Sequence, residues 1–132
     1  MSRTERDQVR EQLGRLLQRR RKIEDDLLVP RSYLHASLLE RFLGSRDRQR
    51  KSPAYYLSRS IRGKSHLKHV RKQDLDRVRR EVEAYRTFSE KLVELRRLCD
   101  EILAAFLRFV RVQEDPDYAF HDEEEGEASD SG

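Results

Sequence analysis

Cysteine occurs once, at Cys99, so an internal disulfide and a cysteine-rich zinc site are both excluded. A reducing cytosol is the setting that such usage predicts. Apolar residues are scarce as well, at 36% against 41% charged. A chain of 132 residues with that balance cannot fill a large globular core. Long helices with narrow apolar stripes, or partial disorder, fit it better. No apolar run approaches a membrane span, and the opening MSRTERDQVREQ lacks the apolar core of a signal peptide. A cytoplasmic protein without a membrane segment is therefore expected.

The net charge of +4 conceals a split. Residues 113–132, QEDPDYAFHDEEEGEASDSG, hold nine of the 25 acidic residues and no Lys or Arg. The remainder keeps 29 cations against 25 − 9 = 16 acids, a net of +13. A basic body with an acidic tail points to a polyanionic partner, although charge for solubility alone would give the same total. The tail reads as disordered. Three roles fit it: folding back on the basic region, docking a partner through its aromatic pair among acids, or inert solubilisation.

Residues 4–28 read as a helix. Val9, Leu13, Leu16, Arg20, Ile23 and Leu27 recur at alternating spacings of four and three, a heptad seam with one polar member. Pro30 ends it. RSYLHASLLERFLG, residues 31–44, reads as a short second helix, capped by Ser32 and closed by Gly44. Residues 54–61 and 64–71 read as two strands joined by a tight Arg62-Gly63 turn, because glycine accepts positive φ. In that register Tyr55 faces Val70 and Tyr56 faces His69, and Tyr55, Leu57, Ile61 and Val70 share the core face. Residues 73–112 contain neither glycine nor proline and read as one long helix. Its stripe runs Leu75, Val78, Val82, Tyr85, then Phe88, Leu92, Leu95, Cys99, Ile102, Phe106 and Phe109, with a step between Tyr85 and Phe88. The far half, LCDEILAAFLRFV, is the most apolar segment, and the shorter first helix would leave it bare unless it and the short second helix together suffice. Leu92, Leu95, Cys99, Ile102, Leu103, Phe106 and Phe109 are therefore expected to meet a second copy of the chain or a larger protein.

The fold class that emerges is mainly α: long coiled-coil-like helices, one small antiparallel β-hairpin and a disordered acidic tail. Its segments are an N-terminal helix over 1–30, the short helix, hairpin and long helix over 31–112, and the tail over 113–132.

Three motifs invite chemistry. Gly63-Lys64-Ser65 copies the close of a phosphate-binding P-loop. That loop needs a glycine six positions before the lysine, where Ser58 stands, and it must open a helix, whereas strand pattern continues here. His66 and His69 have the look of metal ligands. A spacing of three on a strand sends them to opposite faces, and no nearby cysteine or carboxylate completes a set. The carboxylates Glu24, Asp25, Asp26, Glu81, Glu83, Glu90 and Glu94 lie among cations as surface ion pairs do. Nothing converges with a nucleophile or a base. No enzyme activity, cofactor or metal is expected.

The stretch 41–72 is the principal signal. It holds eleven Lys and Arg residues against one acid, Asp47, with Tyr55 and Tyr56 among them. Cations match phosphate oxygens, a two-stranded ribbon fits a major groove, and an exposed tyrosine can stack on an unpaired base. The expected contacts are Arg59, Arg62, Lys64, Lys68, Arg71 and Lys72, joined by Arg48, Arg50 and Lys51 from the preceding loop, with Tyr56 as the stacking residue. A solvated hairpin whose tyrosines pack on the long helix is the plain alternative. The partner expected is nucleic acid, DNA over RNA. A protein-interaction adaptor is the rival function.

YYLSRSIRGKSHLKHVRK, followed by DLDRVRREVEAYRTFSEKLVELRRL, resembles a family of small uncharacterised prokaryotic proteins, a domain of unknown function associated with transposases and mobile elements. The resemblance covers about residues 27–103 and is carried by the hairpin and by EVEAYRTF. It implies a leading helix, a hairpin, a long helix and a DNA-linked accessory role. Members often carry a cysteine cluster before the hairpin. Here GSRDRQRKSP stands in its place, so a zinc role does not carry over.

Overall fold

The computed structural model of the protein describes residues 4–42 and 53–120. The element order is helix α1 (Glu5–Leu27), strands β1 (Ser37–Arg41), β2 (Ala54–Ile61) and β3 (Lys64–Val70), a 3-10 turn (Lys72–Asp74) and helix α2 (Leu75–Arg111). It is mainly helical, with a small three-stranded antiparallel sheet of order β1-β2-β3. Two compact units divide the chain, one joining the start of α1, through Ile23, to α2 from Leu95 onward, the other spanning Glu24–Glu94.

The first unit is a helix pair. Thr4 caps α1: its hydroxyl accepts the Asp7 backbone N–H at 3.1 Å, and hydrogen bonding with Thr4 holds the Asp7 carboxyl below its ordinary pKa. Val9, Leu13 and Ile23 are buried on α1, and Leu98, Ile102 and Ala105 on α2. Arg108 Nη1 donates to Gln12 Oε1 at 3.1 Å, and Thr4, Glu5 and Arg6 lie beside Val112, Gln113 and Glu114, so the two helices run antiparallel. Ile102, expected at a partner interface, is thus enclosed by the chain itself, and Leu95, Cys99 and Phe109 are half-buried beside it. Leu92, Leu103 and Phe106 stay exposed, joined by Leu107 and Val110. Beyond α2, residues 113–119 form hydrogen-bonded turns: Tyr118 and Ala119 N–H both donate to the Asp115 carbonyl. Of the expected tail, residues 113–120 are described. Its residues 121–132 lie outside the described residues.

The second unit carries the sheet. The short helix expected over 31–44 does not form within the described residues 31–42, and its Gly44 cap lies outside them. Ser37–Arg41 is instead a strand whose Ser37 pairs with Ser58 and Arg41 with Ala54. The reason is the backbone of β2: pairing satisfies its second edge, a gain that outweighs the modest helix preference of the Leu-Leu-Glu-Arg run. The segment before β1 is extended and lies on α2. Leu34 N–H donates to the Glu81 carbonyl at 3.0 Å, and the Tyr33 ring sits 5.2 Å from Phe88 and 6.5 Å from Tyr85. Lys91 pairs with Asp26 at 3.5 Å. Among the described residues of this unit, the buried side chains are few: Ala54, Val70 and Val78.

Candidate nucleic-acid interface

Strands β2 and β3 pair from Tyr55–Val70 to Ile61–Lys64, the register read from the sequence, and Tyr56 faces His69. The connecting Arg62 and Gly63 both have positive φ, 52° and 81°. That is the pattern of a type I′ turn, whose twist matches the strands it joins. Glycine takes its place without cost, whereas arginine there is strained by about 1 kcal/mol or more. Asparagine tolerates the left-handed region. Arg62→Asn is therefore expected to raise stability by about 0.5–1 kcal/mol, seen as a higher thermal midpoint. Gly63-Lys64-Ser65 ends this turn and begins β3, so a strand and not a helix continues directly from it. The phosphate-loop resemblance is one of letters.

Side chains alternate across the sheet, and facing residues share a side. One face presents Leu38, Glu40, Tyr55, Leu57, Arg59, Ile61, Lys64, His66, Lys68 and Val70. The base of this face packs inward: Val70 is buried, and Arg79 lies over the Tyr55 ring at 5.4 Å. The outer part does not, and Ile61 is exposed. There Arg59 stands directly opposite His66, with Lys64 and Lys68 as its diagonal neighbours. Opposite residues lie about 5 Å apart at Cβ and diagonal ones about 7–8 Å. Among the described residues, no carboxylate forms an ion pair with Arg59, Arg62, Lys64 or Lys68. The acid on the sheet is Glu40, at its far end opposite Tyr55. Like charges held this close are unfavourable without an anion between them.

The remaining expected contacts separate. Tyr56 lies on the other face, where Arg41 covers its ring at 5.9 Å and His69 meets it at 5.4 Å. It cannot stack a base held by Arg59 and Lys68. His66 and His69 also point to opposite sides, so they do not share a ligand. Arg71 leaves the sheet and donates to Asp74 Oδ2 at 3.0 Å, so this cation is taken up by the chain's own carboxylate. Lys72 opens the 3-10 turn and is exposed. Arg48, Arg50 and Lys51 lie outside the described residues.

A feature beyond the expected site borders the cationic face. Leu57, Arg59, Ile61 and Lys68 line a cleft of about 430 Å³ whose other wall includes Tyr33, His35 and Tyr85. The His35 ring is stacked on Tyr85, centroids 4.2 Å apart and planes 20° from parallel. In the sequence His35 sits in the stretch read as a helix, and Tyr85 reads as core stripe, so neither stands out.

No family model, curated protein or solved structure matches the chain.

Proposed function

We propose that the protein binds nucleic acid without catalysis, DNA in preference to RNA, as an accessory component of a mobile-element or nucleic-acid-processing assembly. The observation that carries this reading is the quartet of Arg59, Lys64, His66 and Lys68 on one face of the sheet, with no ion-paired carboxylate among the described residues. Edge protection explains part of such a pattern, since lysines on an outer strand discourage strand-to-strand aggregation. That accounts for Lys64 and Lys68 on β3. It accounts less well for Arg59, an arginine on the strand between β1 and β3, although pairing with β1 ends one residue earlier at Ser58. Phosphate oxygens do account for it, because successive phosphates meet cations in a row. The strained Arg62 at the tip fits the same use.

The test is a titration of fluorescently labelled oligonucleotide at several salt concentrations. Binding by several phosphate contacts falls steeply, with log K linear in log salt. Flat salt dependence, or no binding at low salt, refutes the proposal. A second reading is favoured by the bare face of α2. Cys99, Leu103, Phe106 and Val110 follow the four-three-four spacing of a coiled-coil seam. On this reading the chain is an adaptor or a homodimer, and the exposed Leu103 and Val110 meet another helix. A dimer and nucleic-acid binding are compatible. An adaptor with no oligonucleotide affinity is the outcome that replaces the first reading.

A further inference from the structure

We propose that the cleft beside the cationic face takes one unstacked base, so that the ligand is a single strand or an unpaired end and not uninterrupted duplex. The inference rests on the phosphate-binding reading above and adds the part of the ligand that phosphates leave undefined. The cleft is large enough for a base, since about 430 Å³ falls within the ~300–1,000 Å³ typical of small-ligand sites. Its lining has the matching chemistry. Leu57 and Ile61 give one apolar wall from the sheet. His35 and Tyr85, already stacked on each other, give an aromatic wall that a base face would extend. Arg59 and Lys68 line the same cleft from the sheet side, so a nucleotide with its base inside would have its phosphate beside two cations. This is the pairing of π surface and positive charge by which proteins hold single strands, and every base has the π surface it requires. A base within a duplex is stacked on both faces and would first have to be extruded.

The experiment compares oligothymidylate, oligouridylate and a blunt duplex of equal length, each also at varied salt. A further oligothymidylate carries one abasic position. His35→Ala is the principal variant, since His35 is exposed and its removal does not open the core. Tyr85→Leu is the second, with circular dichroism checking that it is folded. Wild-type protein is expected to bind a single strand at least tenfold more tightly than the duplex. His35→Ala should lower single-strand affinity on the order of tenfold, the effect of losing one stacked base, while leaving the salt slope unchanged. The abasic position should weaken the wild type and not His35→Ala. Either sugar type binding best supports the inference, and their ratio identifies the source. Equal, salt-dependent binding of single strand and duplex, unaffected by His35→Ala, overturns the cleft assignment and leaves the phosphate surface standing. No binding to any oligonucleotide overturns both.

Discussion

Replacing Arg59, Lys64 and Lys68 together by alanine is expected to weaken oligonucleotide binding about 100-fold at 0.1 M salt. Each phosphate neutralised on a single strand contributes about 0.7 to the slope of log K against log salt, so three lost contacts remove roughly 2 from it. If the curves converge near ~1 M salt, where the counterion contribution vanishes, a slope change of about 2 over one decade of salt is about two decades of affinity. The same variant should not be less stable. These side chains are exposed, and Arg59 gives up an unfavourable position diagonal to both lysines. Loss of binding with an equal or higher thermal midpoint therefore identifies a surface kept charged for a ligand. Arg71→Ala is the internal control, because its guanidinium is already paired with the Asp74 carboxylate at 3.0 Å. Should the triple variant bind as the wild type does, with an unaltered slope, these cations serve only to protect an edge.

The parts of this arrangement that are local in sequence are legible there, and the parts that depend on distant residues are not. Arg62-Gly63 announces its turn because only a residue free of Cβ crowding takes positive φ easily, and the turn then fixes the register from Tyr55 to Val70. The long helix is legible because nothing from 73 to 112 interrupts it, and α2 runs from Leu75 to Arg111. Strand β1 is hidden because leucine, glutamate and arginine suit a helix, and what makes them a strand is the unpaired edge of β2, thirteen or more residues away. Tyr56 marks a different failure. Its distance of three from Arg59 puts the two on opposite faces by the same alternation that separates His66 from His69, so that information is present in the chain. The aromatic wall is not: His35 and Tyr85 are fifty residues apart and meet only because the segment before β1 is pinned to α2 at Glu81.

Two neighbouring residues on α2 should respond very unequally to the same change, and the contrast separates what the chain buries alone from what it leaves for another. Ile102 is 3% exposed and Leu103 63%. Ile102→Ala removes buried methyl groups from a pair of helices that has no third layer to fill the space, and is expected to cost about 2–5 kcal/mol. For a small domain each kcal/mol lowers the thermal midpoint by about 4–8 °C, so a fall of about 8 °C or more is expected in a melt followed by circular dichroism at 222 nm. Leu103→Ala on an isolated chain should alter stability by less than about 0.5 kcal/mol, since its side chain is already in water. If a second copy covers that side, the wild-type midpoint rises with protein concentration, and Leu103→Ala removes the rise. An Ile102→Ala midpoint within a few degrees of wild type would mean that α1 does not enclose this part of α2, and the helix pair would have to be redrawn. A concentration-independent midpoint for the wild type would instead leave Leu103, Leu107 and Val110 to a different protein, because an apolar face of this length is seldom left in water without use.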